Sequence, residues 1–156
     1  KYNEYRLDGI VLAAAGIKRI ERDSEITQYF SEDDMIPAPA QGTLALELRA
    51  DNAELMAKLD ALSDEKTNLC AGIEREFLKQ IGGNCHLPVA AYCDIVSEKD
   101  RGNDSKKNNR LKLLAMFGSE DGKKLARTEQ VWDITSDKNN IVERAVHDIR
   151  YKLESN

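Results

Sequence analysis

The apolar residues of this chain change their spacing several times, and each change marks a predicted element. Ile10 to Ala15 form an unbroken run, IVLAAA, closed by Gly16. Such a run predicts a strand buried on both faces, as in a parallel sheet with helices on either side. Residues 24 to 31 predict a short helix with Ile26, Tyr29 and Phe30 on its apolar side. Pro37 and Pro39 then exclude helix and predict an extended crossing segment. That segment leads into Leu44, Leu46 and Leu48, which alternate with Ala45, Glu47 and Arg49 at the period of a half-buried strand. Leu55, Met56, Leu59 and Leu62 predict a further short helix.

The second part of the chain reads as a more complete unit. Ser63 is a candidate cap for a helix whose face carries Leu69, Cys70, Ile73, Phe77, Leu78 and Ile81, ending at Gly82-Gly83. Cys70 falls on that stripe and reads as a core residue. Strands are predicted over Leu87 to Val96, Leu111 to Phe117 and about Leu125 to Trp132, with Asp121-Gly122 turning the second hairpin. The polar residues 97 to 110, including the cluster Lys106 to Arg110, read as a solvated loop or hairpin tip. A last helix opens at Asn139 or Asn140, with Ile141, Val142, Ala145, Val146 and Ile149 as its apolar stripe and His147 as a structural residue at the stripe's edge. The expected fold class is therefore an α+β domain, a three-stranded antiparallel sheet with helices on one face, over residues 61–156. A partial α/β segment over residues 1–60 precedes it and cannot close a core by itself.

Composition narrows the function classes. The 156 residues are 41% hydrophobic and 33% charged, the balance of a soluble globular protein. No apolar run reaches membrane-spanning length, so no membrane partner is expected. A net charge of −5 argues against nucleic-acid binding, which needs a basic face. Cys70, Cys85 and Cys93 have neither a disulfide framework nor metal-ligand spacing, which points to reduced thiols in the cytoplasm and to no metal site. The chain starts at Lys1 rather than Met, which suggests a fragment.

The stretch GGNCHLPVAAY, Gly82 to Tyr92, is the chemical focus. Two glycines end a helix, Pro88 keeps it from resuming, and between them stands one thiol, Cys85. A cysteine on such a turn can carry a covalent group, or it can be an incidental small hydrophobe. Cys85-His86 as nucleophile and base is disfavoured, because neighbours on an extended segment point to opposite sides. Lys18 and Arg19 follow the first apolar run, where open α/β sheets collect ligands. Gln41-Gly42 stands at the entrance of the alternating strand, pairing a side-chain amide with a backbone that permits close approach.

Three stretches, LDGIVLAAAGIKRI, MIPAPAQGTLALELR and EREFLKQIGGNCHLPVAAY, together resemble the second half of the porphobilinogen deaminase (hydroxymethylbilane synthase) family in order and spacing. The resemblance covers nearly all of residues 5 to 95. It implies a three-domain enzyme of tetrapyrrole (heme) biosynthesis, a transferase that joins porphobilinogen units into hydroxymethylbilane. The units are added to a dipyrromethane cofactor bound through a thioether, with release of ammonia. Here the cofactor cysteine is Cys85, Arg19 matches an arginine for cofactor or pyrrole carboxylates, Gln41 and Gly42 match the Q-G of the crossing segment, and Arg49 matches the arginine closing its strand. Guanidinium forks suit the acetate and propionate groups of pyrroles.

The implied partners are porphobilinogen, the growing pyrrole chain and the missing N-terminal half. The resemblance places the catalytic aspartate in that half, so no residue here is assigned as catalytic and the fragment alone is expected to be inactive. Asn84 departs from the usual small residue before the cysteine, and Pro39-Ala40 from the flexible pair before Gln41. The alternative is a non-catalytic ligand-binding or interaction module of the same fold.

Overall fold

The computed structural model describes residues 7–82, 87–99 and 107–155. The chain divides into two compact units, one ending at Phe30 and one beginning at Ser31.

The first unit holds helix α1 (Ala14–Arg19) and a 3₁₀ turn at Asp23–Glu25. Two expectations fail here. Residues 10 to 13 form no strand, and Ile10, Val11 and Leu12 are 55, 64 and 58% exposed. Residues 24 to 31 contain only the short turn, with Tyr29 and Phe30 exposed. The physical reason is shared. A doubly buried strand exists only between other strands, and an apolar helix face only against a core, and the described residues of this unit supply neither.

The second unit carries α2 (Ala53–Asp60), α3 (Glu65–Ile81), β1 (Val89–Lys99), β2 (Lys107–Gly118), β3 (Leu125–Asp133) and α4 (Lys138–Ser155). The strands form one antiparallel sheet in the order β1-β2-β3. Cys93 pairs with Leu113, and Ala115 with Thr128, so alternate residues of all three strands share one face. On that face α3 contributes Cys70, Ile73, Phe77 and Ile81, and α4 contributes Ile141, Val142, Ala145, Val146 and Ile149. This is the expected α+β domain with both helices on one side.

Local chemistry explains the helix limits. The Asp64 carboxylate, not Ser63, accepts the Thr67 amide at 2.7 Å and caps α3. Asp137 caps α4 in the same way, accepting the Asn139 amide at 3.0 Å, two or three residues earlier than the asparagines suggested. At the other end of α3, Gly82 takes φ 78°, the left-handed conformation open to glycine at low cost. The first hairpin extends further into the polar stretch than its composition indicated, because strand pairing there rests on backbone bonds and on Ser97 donating to Asn109 at 3.1 Å. Lys106 lies outside the described residues, and Lys107 to Arg110 belong to β2.

The opposite sheet face is not left open. The crossing segment lays Ile36 against Ala90 and Leu114, flanked by Tyr92 and Met116. Arg127 donates to the Asp33 carbonyl at 2.7 Å on the same side. Beyond it, residues 44 to 48 form no strand; Leu44 and Leu46 are 73 and 63% exposed. Their alternation marks a face for a sheet that the described residues do not contain.

Candidate functional site

The thiol loop is framed by two fixed ends. Helix α3 brings the chain to Gly82, whose amide donates to the carbonyls of Leu78 and Lys79, with Ile81 buried just before it. After the loop, the Pro88 carbonyl accepts the Gly118 amide at 2.9 Å, so β1 starts against the end of β2. Cys85 itself, with Gly83, Asn84 and His86, lies outside the described residues.

The other two cysteines are of a different kind. Cys70 on α3 and Cys93 on β1 are both buried, as the stripe reading of Cys70 expects. The neighbouring Cys70 thiol together with burial pushes the Cys93 thiol well above the ordinary thiol range. A thiol kept protonated in the core is a poor nucleophile.

Gln41 and Gly42 sit on an exposed turn of the crossing segment. The Gln41 amide donates to the Ala38 carbonyl at 2.9 Å and the Thr43 amide to the Ala40 carbonyl at 3.1 Å. Ala40 has φ 60° and Gly42 φ 82°. For glycine this is easy, but for alanine the left-handed region costs roughly 1 kcal/mol, so something must hold it there.

The holding group is Glu74, which the apolar pattern of α3 did not reveal as functional. Its carboxylate accepts the Ala40 amide at 2.6 Å through Oε2 and the Cys93 amide at 2.7 Å through Oε1. The side chain is only 6% exposed. Burial pushes its pKa up, against the pull of the two amides. The one available signal was a glutamate one turn from both Cys70 and Phe77 on an otherwise apolar stripe. Beside it lies a cavity of about 200 Å³, lined among others by Gln41, Cys70, Glu74 and Tyr92. The Lys66–Asp94 ion pair, 2.6 Å long, closes one side and raises the Lys66 pKa.

Arg19 ends α1 in the first unit and is exposed. Among the described residues it has no ion-pair partner. Its neighbours are engaged: Lys18 stands over the Tyr29 ring at 5.1 Å, and Arg22 is bidentate to Glu25. Arg49 is likewise paired, with Asp51 at 2.6 Å. Of these guanidinium groups, Arg19 is the one left open to an external carboxylate. His147 is exposed on α4. Among the described residues no cluster of His, Cys, Asp and Glu converges as a metal site, and no helix is long and apolar enough to cross a membrane.

Comparison with known proteins bears on this arrangement. Residues 1–57 match the family profile described as the dipyromethane cofactor binding domain of porphobilinogen deaminase, and residues 68–146 match that enzyme's C-terminal domain. The porphobilinogen deaminase of Lachnospira eligens is 45% identical over 127 residues, covering 81% of this chain and 40% of the relative. That of Clostridioides difficile is 37% identical over 136 residues, covering 87% and 42%. That of Natranaerobius thermophilus is 37% identical over 147 residues, covering 94% and 43%. The chain thus spans well under half the length of these curated relatives.

Proposed function

Because this chain belongs to the porphobilinogen deaminase family, we propose that it is the C-terminal part of a porphobilinogen deaminase and holds that enzyme's dipyrromethane through a thioether at Cys85. The observation that carries this reading is one cysteine on a glycine-rich loop between α3 and β1, while the other two are buried against each other. When bound, the dipyrromethane supplies the pyrrole end that each porphobilinogen unit extends, with loss of ammonia. A thioether withstands the repeated acid–base steps that would hydrolyse an ester.

The donor set fits such a group. A dipyrromethane carries acetate and propionate carboxylates. Arg19 offers a guanidinium free of internal pairing among the described residues, and Gln41 offers an amide on an exposed turn whose glycine admits close approach. Arg19, Gln41 and Gly42 bind and orient the pyrrole chain. Residues 61–156 form the anchoring domain and residues 1–60 the segment joining it to the neighbouring domains; the matched ranges change over between residues 57 and 68 in support. The N-terminal half completes the active site in the cytoplasm, and this part alone is inactive. Exposed Ile10 to Leu12 and Leu44 to Leu46 are the surfaces that half covers.

Intact mass under denaturing, reducing conditions, with peptide mapping around Cys85, tests the reading on protein purified as the full-length enzyme. A two-pyrrole adduct on Cys85, abolished by Cys85→Ser, is expected. A bare Cys85 in an enzyme of full length would sink the anchor role and favour a non-catalytic binding module.

A further inference from the structure

Strand β1 is an edge strand, and its outward amides need partners that the sheet does not provide. The crossing segment and α3 supply them. The Ala91 amide donates to the Pro37 carbonyl at 3.1 Å, and the next outward amide, Cys93, donates to Glu74 at 2.7 Å. The same carboxylate reaches across to the Ala40 amide at 2.6 Å. One buried charge on α3 therefore joins three elements: its own helix, the strand that follows the Cys85 loop, and the turn that presents Gln41.

A buried carboxylate is costly unless its lone pairs are used, and an apolar residue here would leave two amides without acceptors. Ala40 meanwhile holds a backbone conformation that alanine avoids. The bond from Glu74 acts on that residue, directly before Gln41.

We infer that Glu74 is a positioning residue: its carboxylate locks the Gln41–Gly42 turn onto β1 and so fixes Gln41 relative to the domain that carries Cys85. The consequence for pyrrole binding rests on the function proposed above; the clamp itself rests on the hydrogen bonds. Glutamine in place of Glu74 keeps one acceptor but turns an NH₂ toward the other amide, so one of the two bonds is lost at nearly constant shape.

The test is Glu74→Gln in the full-length enzyme, with hydrogen exchange read at single amides and steady-state kinetics on porphobilinogen. Exchange at Ala40 or Cys93 is expected to speed up about tenfold to a hundredfold, the loss of one charge-assisted bond, with the amides of Leu113 and Ala115 unchanged. The KM should rise with kcat nearly kept, since Gln41 binds ground state and transition state alike. Unchanged exchange at both amides would overturn the inference. So would equal acceleration across the core, or a loss of kcat at constant KM. If Glu74→Gln does not fold, Glu74→Asp, which keeps the charge but shortens the reach, is read by the same criteria. Bare Cys85 in the parent enzyme would overturn the functional reading, while the exchange data would still decide the clamp.

Discussion

Replacing Gly118 by alanine should destabilise the domain, and the structure says why and by how much. Gly118 ends β2, is buried, and donates its amide to the Pro88 carbonyl at 2.9 Å. A methyl group at its Cα would stand 2.9 Å from Pro88 Cγ and 3.3 Å from both Leu125 Cδ1 and the Lys124 carbonyl oxygen. The Leu125 side chain can yield, but the proline ring and the backbone carbonyl cannot without moving the chain. Overpacking of this kind costs about 1–3 kcal/mol. Weakening the bond to Pro88 adds roughly 0.5–1.5 kcal/mol, and the lower unfolded-state entropy of alanine returns about 0.5–1 kcal/mol. The net expectation is a loss of about 2 kcal/mol. Gly72 is the internal control: it lies mid-helix in α3, exposed, with nothing within 4 Å of its Cβ position. Gly72→Ala should stabilise by about 0.5–1 kcal/mol. Urea midpoints of both variants, with unchanged m-values, provide the assay. A Gly118→Ala protein as stable as the parent would refute the claim that Pro88 is rigidly seated, and with it the fixed exit of the Cys85 loop.

Three further outcomes are expected. Phe77 is fully buried at the centre of the core, so Phe77→Ala should cost about 3–5 kcal/mol, read from the same urea curves. Burial holds the Glu74 pKa above the ordinary glutamate value of 4.5, so the folded state keeps this proton to higher pH than the unfolded chain. Its contribution to stability therefore falls as pH rises through that interval. Glu74→Gln should remove this slope, despite Lys66, Asp94 and Tyr92 around the same cavity, and an identical pH–stability curve for parent and variant would refute it. Cys70 and Cys93 should resist alkylation in the native chain and react together only on unfolding; labelling of either in native buffer, located by peptide mass, would contradict their burial.

The domain from α3 onward was legible because its signals are local and agree with one another. The stripe from Cys70 to Ile81, the alternation along three strands, the Asp121-Gly122 turn and the stripe from Ile141 to Ile149 each bury one face against another element of the same segment. Periodicity reads such a unit well, since every apolar face finds its partner nearby in the chain. Ile10 to Ala15 and Leu44 to Leu48 show the reverse. Their apolar patterns are as clear as any in the chain, yet neither is a strand, because a strand is a property of a pair.

Sequence by itself determined the elements from α3 onward, the glycine stop before Cys85 and the family. Only tertiary structure decided which polar groups matter. Glu74 looks like an error on an apolar stripe until Ala40 and Cys93 are seen to donate to it from residues far away in the chain. Cys70 and Cys93 were separated from Cys85 in kind by a contact between α3 and β1. Hydrogen bonds and burial between distant segments leave no periodic trace, so they emerge only once the chain has folded and brought those groups together.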